Sequence, residues 1–98
     1  MDGFDADRLD DAIHGKVRLA IMAYLSGAEE ASFAVIKAAV RTTDGNLSIH
    51  MRKLEEAGYL AVEKRFEGRK PLTTLRLTQE GRAAWIAYLD QIRRLIAT

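Results

Sequence analysis

The 98-residue chain has no cysteine and one proline, Pro71. Without thiols there is no disulfide, no cysteine nucleophile and no thiolate metal ligand. The two histidines, His14 and His50, are far apart and outside any H-x-x-x-H spacing, so no metal site and no cofactor are expected. Long apolar runs are missing too. The longest, Leu19 to Leu25, falls well short of the roughly 20 residues that a membrane-spanning helix needs. The opening MDGFDADRLDD is acidic, unlike the basic start and apolar core of a signal peptide. The expectation is a cytoplasmic protein with no membrane contact. The acid pairs Asp10-Asp11, Glu29-Glu30 and Glu55-Glu56 are adjacent, so they diverge on a helix and read as solvated surface. No nucleophile–base pair and no phosphate-binding glycine loop is visible. An enzyme is not expected.

What is present is an apolar content of 48%, enough for one small folded domain over residues 1–98. A chain this short buries only a modest share of its surface alone, which favours a partner subunit. The formal net charge is +1, but its distribution is uneven. Residues 1–30 carry three basic groups against seven acidic; residues 31–98 carry twelve against seven.

Leu9, Ala12 and Ile13 suggest a short helix over Asp5–His14, interrupted by Gly15. A second follows from Lys16, with Val17, Ile21 and Leu25 at near-helical spacing, and Ser26-Gly27 ends it; the two N-terminal helices together occupy 5–26. Glu29–Ser32 suits a strand of two or three residues. Ser32 then caps a helix over Phe33–Val40, burying Phe33, Ile36 and Val40. Arg41–Thr43 is the short connection of a helix-turn-helix spanning 32–57. Alternation over Tyr59–Phe66 and Leu72–Leu77, around Glu67-Gly68-Arg69-Lys70-Pro71, predicts a β-hairpin over 59–77. Thr78 caps a last helix over 79–97, carrying Ala84, Trp85, Tyr88, Leu89, Ile92, Leu95 and Ile96. Five turns of apolar groups, ~28 Å of helix, exceed what the short helices before it can cover.

The segment TTDGNLSIHMRKLEEA, residues 42–57, is the most informative. Thr43 is its N-cap and Ala57-Gly58 its glycine stop. At about 100° per residue, Leu47, Met51 and Leu54 form one inward stripe. Gly45, Ile49, Arg52 and Glu56 lie opposite, with Ser48 on one flank and Asn46 and Lys53 on the other. That outer face offers a guanidinium, an amide, a hydroxyl and an apolar tip, the groups that read base edges in a DNA major groove. His50 lies about 60° from the inward stripe and reads as packed and hydrogen-bonded. Lys37, Arg41, Lys64, Arg65, Arg69 and Lys70 surround this helix as candidate phosphate contacts.

The strings IHGKVRLAIMAYL (13–25), TDGNLSIHMRKLEEAGYL (43–60) and GRKPLTTLRLTQEGR (68–82) resemble the short winged-helix transcriptional regulators allied to the MarR and ArsR groups. The likeness covers roughly residues 8–96. It implies a mainly α fold with a small β-hairpin, in the order α-α-(β)-α-α-β-β-α, and a homodimeric, sequence-specific double-stranded DNA-binding protein, typically a repressor. By position, Asn46, Ser48, Ile49 and Arg52 match its base-reading surface. Thr43 and His50 match residues that set the helix entrance, and Arg69 and Lys70 match its wing. Leu72 departs from the polar or basic residue that relatives often carry there. The metal-binding cysteines of the ArsR group are absent. The expected dimer surface comprises Leu9, Ile13, Trp85, Tyr88, Leu89, Ile92, Leu95 and Ile96. Two rival readings stand beside this one: a winged helix that docks proteins without touching DNA, and a regulator holding a small-molecule effector near Trp85 and Tyr88.

Overall fold

The computed structural model describes residues 9–97. Helix α1 (Lys16–Ser26) is followed by a two-residue strand β1 (Ala31–Ser32), helix α2 (Phe33–Val40) and helix α3 (Asp44–Glu56). Strands β2 (Leu60–Glu67) and β3 (Lys70–Leu77) form the hairpin, and helix α4 (Gln79–Ile96) ends the described chain. The sheet is antiparallel with β3 in the middle, β1 on one side and β2 on the other. This is the mainly α, winged helix-turn-helix arrangement implied by the sequence.

Three of the four helices start on a hydroxyl cap. Ser32 Oγ accepts from Val35 N, Thr43 Oγ1 from Asn46 N and Thr78 Oγ1 from Gly81 N, each satisfying an amide that has no partner within the helix. Helix α3 stops in a Schellman pattern: Tyr59 N donates to Leu54 O and Gly58 N to Glu55 O. Gly58 takes a φ of 85°, which glycine tolerates without a Cβ penalty.

Helix α1 packs against α2, α3, α4 and β3. Its Ile21, Met22 and Leu25 are fully buried with Ile36, Leu47, Leu54 and Leu75, and Leu60, Leu77 and Tyr88 complete the core. Each such side chain contributes about 1.5–3 kcal/mol by leaving water. Phe33, Val40 and Met51 are partly buried against this cluster.

Two boundaries differ from the sequence reading. Of the helix expected over Asp5–His14, residues 5–8 lie outside the described residues. The remainder is a single turn, with His14 N donating to Asp10 O and Ala12 N to the Asp10 carboxylate. Gly15, at a φ of 153°, then lets the chain enter α1. The turn is anchored from afar: the Tyr59 hydroxyl donates to Asp10, and the Tyr88 hydroxyl meets His14 Nδ1 at 3.2 Å. The second difference is at the hairpin tip, which is only Gly68-Arg69, so Lys70 and Pro71 belong to β3. Gly68 has a φ of 65° while Arg69 does not share the positive φ, as a type II′ turn requires. Pro71 is tolerated because β1 covers only Thr74 and Leu75, leaving the outer half of β3 as an open edge.

Thr78 N and the Gly81 position close the structure at its centre. Thr78 N donates to Tyr59 O and Thr78 Oγ1 to Gly58 O. A Cβ on Gly81 would stand 2.2 Å from Tyr59 O, which forces backbone to move. We expect Gly81→Ala to destabilise the fold by about 3 kcal/mol. Gly45, whose Cβ position is open, should instead gain ~0.5–1 kcal/mol on replacement by alanine. Thermal unfolding of the two variants should shift in opposite directions.

Candidate nucleic-acid interface

The turn between α2 and α3 is held by three features. Arg41 takes the left-handed conformation (φ 60°, ψ 56°) and its N–H donates to Lys37 O. Lys37 Nζ bridges Asp44 at 2.8 Å. Thr42 Oγ1 accepts from Asn46 Nδ2 at 2.7 Å, beside the Thr43 cap. These fix the direction in which α3 leaves α2.

The outward residues of α3 fall where the helical spacing put them. Leu47 and Leu54 are fully buried. Gly45, Asn46, Arg52, Lys53 and Glu56 are exposed, and Ile49 is 56% exposed. An isoleucine that open to water contributes little to this fold. Ser48 is half-buried on the flank. Thr43 is exposed with its hydroxyl committed to the cap, and Asn46 has one amide hydrogen committed to Thr42.

His50 is a correction. It is half-buried as expected, but its Nδ1 is buried with no hydrogen-bond partner. Loss of hydration, then the positive charges of Arg18 and Lys53, push its pKa below 6.5. The opposite shift occurs at Tyr59: donation to Asp10, burial and the Asp10 charge push its phenol up to about 12.

The hairpin separates basic groups that the sequence grouped together. Residues directly opposite one another share a face. Lys64 faces Thr73, and Phe66 faces Pro71, on the side that nearer the body holds Leu60 and Val62. Arg65 faces Leu72 and Lys70 faces Glu67 on the other side. There Arg65 also lies 3.4 Å from Glu63, so much of that face is charge-balanced. Lys37 is likewise engaged by Asp44. Arg69 is at the tip, and Phe66 is 74% exposed.

The expected dimer residues also divide. Ile13 and Tyr88, 0% and 5% exposed, lie in the chain's own core and cannot form a partner surface. Leu9, Trp85 and Ile92 are partly buried against that core, Trp85 stacking on Tyr88 with ring centroids 6.1 Å apart. Leu89, Leu95 and Ile96 are exposed at 39%, 41% and 77%. Ile86, 68% exposed, was missed by the sequence reading. The spacing 86, 89, 93, 96 puts it on one side of α4 with Leu89, Arg93 and Ile96, which is the signal that reveals it.

Among the described residues no cluster of three or more His, Asp or Glu suits a metal, and no helix is long and apolar enough to cross a membrane. A capped helix presented on a tight turn, with a two-stranded wing leaving its end, defines a winged helix-turn-helix protein. The winged helix DNA-binding domain model matches residues 17–96, and the chain belongs to that family. An uncharacterized protein of Methanocaldococcus jannaschii is 37% identical over 79 residues, covering 81% of this chain and 86% of that one. The structure of a transcriptional regulator homologue from Pyrococcus horikoshii superposes with a TM-score of 0.83 at 30% identity, over 88% of this chain and 85% of that one. A MarR family regulator from Silicibacter pomeroyi shares the fold at 16% identity with a TM-score of 0.66; 82% of this chain covers 53% of it.

The His50 environment predicts a pH dependence. The unfolded chain takes up the imidazole proton near 6.5, the folded chain only at lower pH. Stability from this group is therefore full above 6.5 and declines as pH falls below it. Denaturation of wild type and His50→Gln between pH 7.5 and 5 should show a shallower decline in the variant.

Proposed function

We propose that this protein is a sequence-specific regulator of transcription, a repressor, that binds a pseudo-palindromic operator in double-stranded DNA as a homodimer. The observation that carries the reading is the outward stripe of α3. Ile49 and Arg52 project from a capped, rigidly mounted helix and have no role in the fold that holds them. Arginine is suited to bidentate contact with guanine, and isoleucine to the thymine methyl. Asn46, Ser48 and Lys53 flank them, and Arg69 and Lys64 are suited to phosphates beside the groove. Likeness to the Pyrococcus horikoshii regulator homologue supports the regulatory reading.

The dimer rests on α4. Ile86, Leu89 and Ile96 lie on the side turned away from the core, with Arg93 among them, and reach over about 15 Å of helix. Clustered exposed apolar groups of this kind usually mark an interface. A two-fold axis there would set two α3 helices in successive major grooves, with half-sites ~34–36 Å apart. An effector-responsive version is favoured by one feature: a cleft of about 300 Å³ beside Asp10, Tyr59, Tyr88 and Gln91, near which Gln91 Oε1 is buried without a partner. Trp85 fluorescence against a metabolite panel tests it.

Selection from random duplex DNA should yield a two-fold symmetric site. Arg52→Ala should lose ~1–3 kcal/mol of discrimination at one base position. Arg69→Ala should weaken all duplexes evenly and flatten the salt dependence. Equal selectivity of Arg52→Ala and wild type would remove Arg52 from the reading surface. Absence of any duplex binding would favour the protein-docking alternative.

Sedimentation equilibrium at micromolar concentration should report a dimer for wild type. Ile86→Glu with Leu89→Glu should leave a folded 10.9 kDa species. A wild-type monomer would refute the dimer.

A further inference from the structure

We infer that the cleft between the start of α1 and the α2–α3 turn is a seat for a phosphate of the DNA backbone, held by Lys16, Arg41 and the Thr42 hydroxyl. The inference rests on the DNA-binding reading above and adds a contact outside both the base-reading face of α3 and the wing.

The cleft encloses about 390 Å³ between Lys16 and Val17 on one side and Val40, Arg41, Thr42 and Asn46 on the other. No carboxylate lines it. Lys16 and Arg41 are exposed, and neither has an ion-pair partner among the described residues. Lys37, four residues before Arg41, is by contrast already bridged to Asp44. Thr42 Oγ1 accepts from Asn46 Nδ2, which leaves its own hydrogen to donate. Two cations and a hydroxyl donor thus converge on a recess with partly apolar walls, where charge is less screened than on open surface. The chemistry they share is recognition of an oxyanion.

The backbone at Arg41 points the same way. Its φ of 60° is a conformation that glycine adopts freely and an arginine only at a cost. What the turn uses from residue 41 is its backbone N–H, bonded to Lys37 O. The guanidinium makes no hydrogen bond or ion pair within the described residues. Its use therefore lies outside the fold.

A DNA backbone fits better than a small anion. The recess is lined by Asn46 of the first turn of α3 and by Thr42, just before its cap, so it opens beside the start of the helix carrying the base-reading groups. A helix in the major groove has phosphates along both of its sides, and contacts to them fix its register.

The test uses the full chain and a 30-bp duplex, followed by fluorescence anisotropy over a range of salt. Lys16→Gln and Arg41→Gly should each reduce the slope of log K against log salt by part of the ~0.9 that one phosphate contributes, and the double variant by the whole of it. Arg41→Gly suits the backbone and should melt no lower than wild type, separating a lost contact from a lost fold. Thr42→Val should weaken binding with the slope unchanged. Arg76→Ala, a cation on the outer face of the sheet, serves as the control. A folded double variant with the wild-type slope would overturn the inference, as would an equal fall for Arg76→Ala. If wild type binds no duplex even at low salt, the DNA-binding reading itself fails.

Discussion

The geometry of the molecule depends on the junction of Gly58-Tyr59 with Thr78–Gly81. At Tyr59 the last turn of α3 is closed by the bond from its N–H to Leu54. Its carbonyl accepts from Thr78 and lies against Gly81, where α4 begins, and its hydroxyl reaches Asp10. The Thr78 hydroxyl both caps α4 and donates to Gly58 O. Four elements therefore meet at a few backbone atoms: the end of α3, the base of the hairpin, the start of α4 and the turn before α1. Their relative angles are set by hydrogen bonds and a missing side chain, not by flexible linkers. In the DNA-binding reading, this is what holds a reading helix, a wing and an oligomerisation helix in fixed mutual orientation.

Around that junction the surface carries sharply different tasks. The inward face of α3 is fully apolar at Leu47 and Leu54, so the helix cannot rotate to present another face. The outward face is left free of structural duty, and its residues can change without disturbing the core. The wing differs again. Several of its charges are balanced within the hairpin, which leaves Arg69 and Lys64 as its more available cations and an exposed Phe66 beside Pro71.

Much of this was legible in the sequence because the relevant signals are local. Caps at Ser32, Thr43 and Thr78, the glycine stop at Gly58 and the inward stripe of α3 depend on residues within four positions of each other. The errors came where distant partners decide. Leu9, Ala12 and Ile13 have helical spacing, but capture of Asp10 by Tyr59 and of His14 by Tyr88 holds that segment as one turn. Helix α4 is apolar around much of its circumference, so its pattern did not settle which side meets the core. Trp85 and Tyr88 turn inward and Ile86 is left outside. The Lys37–Asp44 bridge crosses a turn and follows from no periodicity. Ile49, Arg52 and Lys53 were placed on the open side of α3 because helical phase alone is enough there.

The turn before α1 bears on what counts as the folding unit. The family model matches from residue 17, yet Ile13, four positions earlier, is completely buried in the core. Asp10 and His14 are bonded to residues 49 and 74 positions away. The physical domain thus begins before the family match does. A fragment beginning at residue 17 would open a cavity in the core where Ile13 sits and strand the hydroxyls of Tyr59 and Tyr88.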